Sequence, residues 1–138
     1  MEKNFPVTND RVRKTTPVQQ NIEIDRRTDE NIKKYRRGST KKIKERVNDL
    51  DKEWDIERTL ELNASLVALG GIVLAASMSK KWLILPAIVT AFLAQHAIQG
   101  WCPPLALFRR MKIRTRKEID KEKYALVEAL KNKRSSKH

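Results

Sequence analysis

Along most of this chain apolar residues come singly or at helical spacings, but between Leu62 and Trp101 they merge into two long runs. Leu62–Met78 and Trp82–Ile98 are 17 residues each and carry no charge, with Ser79-Lys80-Lys81 between them. At about 1.5 Å per residue, each run spans roughly 25 Å as a helix. That is the short end of what crosses a bilayer core of ~30 Å. The pattern predicts an all-α membrane protein built on a two-helix transmembrane hairpin, residues 55–101, with spans at about 56–78 and 82–100. Asp55 stands where a cap for the first span belongs. Pro86 falls in the first turn of the second span, where a missing donor costs little. Trp82 and Trp101 bracket that span as an aromatic belt would.

The flanks read as amphipathic helices. Ile43, Val47, Leu50 and Trp54 recur at steps of 4, 3 and 4, a narrow apolar seam behind a cap at Ser39 or Thr40. Upstream, Thr28 to Gly38 predicts a short helix, with Thr28 as N-cap, acids in its first turn and Gly38 as its stop. Residues 1–27, with Pro6 and Pro17 and few large apolar side chains, read as a mobile basic arm. Residues 28–54 are then a pair of cytoplasmic helices. Residues 102–138 read as an interfacial segment followed by an amphipathic cytoplasmic helix. Arg109-Arg110 would mark the return to water. Thr115 and Glu118 form a capping box, Ile119, Leu126, Val127 and Leu130 an apolar edge, and the tail beyond Lys131 would fray.

Small residues run along both spans: Ala64, Ala68, Gly71 and Ala75 in the first, Ala87, Ala91 and Ala94 in the second. Such stripes let helices approach closely in lipid. With the turn between Ser79 and Lys80, Ala68 falls level with Ala91, so the stripes are expected to face each other. The same register sets Asn63 opposite His96, and Glu61 opposite Gln99 or Ile98. Glu61, Asn63, His96 and Gln99, with Cys102 just beyond, therefore make a candidate cluster at the cytoplasmic end of the hairpin. Two readings stay open for it: ionisable groups within a span that mark a functional site, or polar groups that satisfy one another near the wet interface.

Charge sharpens this picture. The net charge is +13. Residues 1–61 hold 16 basic and 13 acidic side chains, residues 102–138 hold 12 and 4, and Lys80 and Lys81 are the only charges between Leu62 and Trp101. Basic flanks at both ends of a hairpin put both termini in the cytoplasm and suit anionic headgroups. That explanation displaces nucleic acid as the expected partner. No secretory signal is evident at the N-terminus. Cys102 is the lone cysteine, which excludes an intrachain disulfide. His96 and Cys102 lie six apart and off one helix face, so no metal or cofactor is expected. No nucleophile–base set, phosphate loop or zinc motif is present, and no enzyme is expected.

Gln95–Leu126, QHAIQGWCPPLALFRRMKIRTRKEIDKEKYAL, resembles the YgaP-like transmembrane domain family of small bacterial inner-membrane proteins. The likeness extends through Glu53–Gly71. Its most specific part is Gly100-Trp101-Cys102-Pro103-Pro104, followed by a basic pair and by Arg114, Thr115, Glu118 and Ile119. The resemblance implies a two-helix membrane hairpin in the bacterial inner membrane, homodimeric in some members. The family's namesake adds a rhodanese domain with its own catalytic cysteine. This chain has no counterpart of it, so Cys102 inherits no catalytic role. The ending Val127–His138 also departs from the family pattern. The expected function is a non-enzymatic anchoring, scaffolding or oligomerising module, a homo-oligomer with a cytoplasmic or membrane protein as possible partner. The alternative is sulfur-species handling, or small-anion passage by an oligomer, involving Cys102.

Overall fold

The computed structural model describes residues 11–136, and every regular element among them is helical. In chain order these are α1 (Arg11–Thr15), α2 (Val18–Arg36), α3 (Thr40–Lys52), α4 (Ile56–Ser77), a 3₁₀ turn (Lys80–Leu83), α5 (Ile84–Gln99), α6 (Pro103–Arg110) and α7 (Arg116–Ser135).

The two apolar runs became α4 and α5. Their ends follow local chemistry. The Asp55 carboxylate accepts the Arg58 N–H at 2.8 Å and opens α4, as its N-cap position requires. Pro86 lies in the first turn of α5, and Gly100 closes that helix at φ +77°. Both helices are long and apolar enough to cross a membrane. The most apolar 18-residue windows within 40–77 and 80–99 have mean hydropathies of 1.7 and 1.4, yet only 11% and 6% of them is buried. The two helices touch along their length. They pack tightly at Gly71, where a Cβ would sit 2.6 Å from Pro86 Cδ and 3.2 Å from Leu85 Cβ.

The charged remainder packs at the other end. α2 and α3 lie against α7, joined by a core of Ile43 and Leu50 from α3 with Ile119 and Leu126 from α7. A second core ties this bundle to the apolar pair. It holds Val12, Ile56, Leu60, Cys102 and Leu105, with Leu93, Phe108 and Ile113 against it. The Ile56 N–H also donates to the Arg114 carbonyl at 2.9 Å.

Several expectations need correction here. The expected arm 1–27 is structured from Arg11 onward, with Val12 and Ile24 buried; residues 1–10 lie outside the described residues. Thr28 caps nothing. It is buried within α2, a helix of 19 residues that begins just after Pro17. Asn21, Ile24 and Thr28 make a mostly polar inward face there, which apolar periodicity does not register. Pro103 and Pro104 follow the end of α5 and also open α6, where proline is at home in a first turn. Arg109 does not face water: it is 1% exposed. α7 continues past Lys131 to Ser135, and residues 137–138 lie outside the description.

Candidate functional site

Two acids one turn apart organise the charged half. Glu118 and Glu122 stand at i and i+4 on α7 and are buried, at 5% and 0% exposure. A buried carboxylate is tolerated only with paired charge and satisfied lone pairs. Arginines from four segments of the chain supply both. Arg109 grips Glu118 through two parallel bonds, Nη1 to Oε2 at 2.8 Å and Nη2 to Oε1 at 2.9 Å. It also donates to the Thr16 hydroxyl, the Ile113 carbonyl and Asn21 Oδ1. Arg13 reaches Glu118 at 2.5 Å while forking onto Asp25. On the next turn, Glu122 accepts from Arg46 Nε at 2.8 Å and Arg114 Nη1 at 2.6 Å. Arg114 then forks onto Glu53 at 2.8 and 2.6 Å and donates to the Thr28 hydroxyl.

The electrostatics follow this geometry. Burial pushes the Glu118 carboxyl up. Hydrogen bonding and charge from Arg109, with the Thr115 N–H and Arg13, outweigh burial and leave its pKa below the ordinary carboxylate value. Glu122 is the same case: burial opposes, and Arg46 and Arg114 prevail. Burial disfavours the Arg114 cation, but Glu53 and Glu122 hold its pKa above the usual arginine value.

A second node sits where α5 ends. Glu57 Oε2 and His96 Nε2 are 2.8 Å apart. Arg11 donates to Glu57 Oε1 at 3.5 Å and to the Ala97 carbonyl at 3.3 Å. The Thr15 hydroxyl donates to the Gly100 carbonyl at 3.0 Å. α1 thereby crosses directly over Gly100, where a Cβ would fall 2.8 Å from the Arg11 carbonyl carbon. Gly100 is required twice, for its positive φ and for this approach.

Of the five residues of the candidate cluster, His96 and Cys102 are buried, while Glu61, Asn63 and Gln99 are exposed. Asn63 donates to the Thr59 carbonyl of its own helix, and the partner of His96 is Glu57. The register is shifted from a symmetric turn. Part of the shift comes from the 3₁₀ segment Lys80–Leu83, which rises about 2.0 Å per residue against 1.5 Å in an α-helix, so α5 descends further for the same residue count. The small stripes differ as well. Ala64, Ala68 and Ala75 are half-buried and Gly71 is buried, but Ala87, Ala91 and Ala94 are exposed. α5 turns inward the half-buried Leu85, Pro86, Val89 and Leu93 and the buried His96. One small face sufficed: the Pro86 ring fills the space that Gly71 leaves.

Cys102 is 1% exposed. Burial pushes its thiol up, the Leu105 N–H pulls it partly back, and the Glu57 charge pushes it up again. The neutral thiol is therefore favoured, the opposite of an activated cysteine. Beside it a crevice of about 400 Å³ opens between α4, α5 and α6, its lining apolar except for Asn63. Among the described residues no group of three or more His, Cys, Asp or Glu side chains converges as metal ligands.

The sequence reading missed Arg13, Arg46, Glu53, Arg109, Arg114 and Glu122 as partners, and gave Glu118 only its capping role. The available signal was the spacing of Glu118 and Glu122, one helical turn apart among the few acids of the most basic third of the chain. In comparisons with protein-family models, curated proteins and solved structures, the chain matches none.

Proposed function

We propose that this chain is a non-enzymatic membrane module, an antiparallel hairpin of α4 and α5 in the lipid carrying a helical platform on its cytoplasmic side. The observation that carries the reading is the mismatch between composition and burial. Two helices that would be the oiliest core of a water-soluble protein are left almost uncovered in this one. Lipid removes that conflict, because apolar side chains facing acyl chains are already in their preferred solvent. The crevice between α4, α5 and α6 then lies open to acyl chains.

The remaining elements fit the same orientation. Trp101 and Leu107 are exposed at the foot of the hairpin, at the depth where amphipathic side chains settle. Basic residues flank the pair on that side, which makes both ends of the chain cytoplasmic and anionic headgroups their neighbours. The resemblance to YgaP-like membrane domains supports the same location in a bacterial inner membrane. The exposed Ala87–Ala91–Ala94 face of α5 is open for a second copy of the chain, consistent with an oligomerising role. Cys102, shielded and neutral, does not favour the sulfur-handling alternative.

The test is fractionation of the expressed full chain. It should pellet with membranes, resist alkaline carbonate extraction and dissolve only in detergent. Reporter tags at the two ends should both read cytoplasmic. Recovery in the aqueous supernatant, or tags in opposite compartments, would overturn the proposal.

A further inference from the structure

A second concavity, about 340 Å³ in volume, opens where α2, the α3–α4 link and residues 112–114 meet. Its wall of α2 presents Arg27 and Asn31, one turn apart. Arg46, Trp54, Lys112 and Arg114 also line it. Four cations and one carboxylate, Glu53, line this space. Arg114 and Glu53 spend their charges on each other and on Glu122. Three groups keep donors to spare. Arg27 and the Asn31 amide have no partner among the described residues. Arg46 meets Glu122 only through Nε, and the Tyr35 ring, 5.3 Å from its guanidinium, steadies its plane. Lys112 is paired with Glu23 at a half-exposed site, where an ion pair is worth little and is readily exchanged. An apolar or cationic occupant would leave these donors unanswered. A tetrahedral anion with several acceptor oxygens matches guanidinium forks and an ammonium at once.

We propose that this pocket binds a phosphate group, held by Arg27, Arg46, Lys112 and Asn31. The group belongs either to a soluble phosphate compound or to an inner-leaflet phospholipid. Only the second source rests on the membrane reading.

Trp54 in the pocket wall is a built-in reporter. In the full chain in uncharged detergent, inorganic phosphate and pyrophosphate should change tryptophan fluorescence saturably, and Trp54→Phe should abolish the change. In nanodiscs of phosphatidylcholine, added phosphatidylglycerol should do the same if the lipid is the source. Arg27→Gln should weaken the responding arm at least tenfold with helicity unchanged, since Arg27 is exposed, and Lys112→Gln should weaken it independently. A saturable, Arg27-dependent response in either arm supports the site and identifies the source. No saturable response in both arms, an unchanged response in Arg27→Gln, or the same response to sodium chloride at equal ionic strength overturns it. A chain that fractionates with membranes yet fails here loses only this site. A chain that stays aqueous loses the membrane reading, while the phosphate arm still tests the pocket.

Discussion

The two halves of this molecule solve opposite problems of burial. In the charged half the best-buried side chains include Arg109, Glu118 and Glu122, while Val18 and Tyr124 stay largely exposed. In the apolar half Leu66, Leu69, Ile72 and Val73 of α4 face outward, and the contact with α5 at Gly71 leaves no room for a Cβ. The first half is held by interactions that are strong only if complete, since a half-paired buried charge is worse than none. The second is held by shape, with little directional bonding. Their responses to perturbation should therefore diverge.

Acid should separate them most. The folded pKa values of Glu118 and Glu122 are depressed, so their contribution to stability is complete above the unfolded value of about 4.3. It is lost as pH falls from there through the folded values. Circular dichroism in detergent from pH 7 to 3 should show the charged helices melting below about pH 4 while helicity equivalent to α4 and α5 persists. A single cooperative loss of both would break the comparison. Next in size, Glu118→Gln should cost about 3–5 kcal/mol, since it leaves buried Arg109 without its counter-charge. The pair Arg109→Met with Glu118→Leu should recover much of that loss, as read by denaturant unfolding. Recovery would show that the lattice specifies geometry more than it adds stability.

Gly100→Ala tests the seam between the halves. A left-handed φ costs a residue with a Cβ about 1–2 kcal/mol, and the new methyl would meet the Arg11 backbone. Limited proteolysis should then cut near Arg11 and Arg13, while α4 and α5 stay protected. The smallest contrast lies within one helix. Gly71→Ala must push α4 from α5, because Pro86 Cδ is 2.6 Å away, at about 1–3 kcal/mol. Gly70→Ala points into open space and should be neutral or gain up to ~1 kcal/mol from helix propensity. Equal effects in thermal unfolding would mean that the two helices do not pack as described.

What sequence could reveal divides along the same line. The apolar helices announced themselves as charge-free runs, and the caps at Ser39, Asp55 and Thr115 were legible because each involves residues three apart. α2 was half hidden, since its inward face is Asn21, Ile24 and Thr28 and its burial depends on Arg109 and Arg114 from far along the chain. Arg109 itself read as a surface charge. Nothing local marks which arginine of a basic segment will be enclosed. The Ala87–Ala91–Ala94 stripe was visible as a pattern, but which way a helix turns its faces is set by its neighbours, and here Pro86 decided the matter. His96 was found without Glu57, whose position in the first turn of α4 resembled an ordinary helix-start acid.

The bond between Arg13 and Glu118 joins residues 105 apart in a chain of 138. During synthesis Arg13 can meet Asp25 early, but its bond to Glu118 must wait until residues 26–118 have been made. By then residues 56–99 have left the ribosome and α4 and α5 have had time to settle. The latch at the base can therefore fasten only after both apolar helices have been made, and a product truncated before Glu118 would leave Arg13 with Asp25 alone.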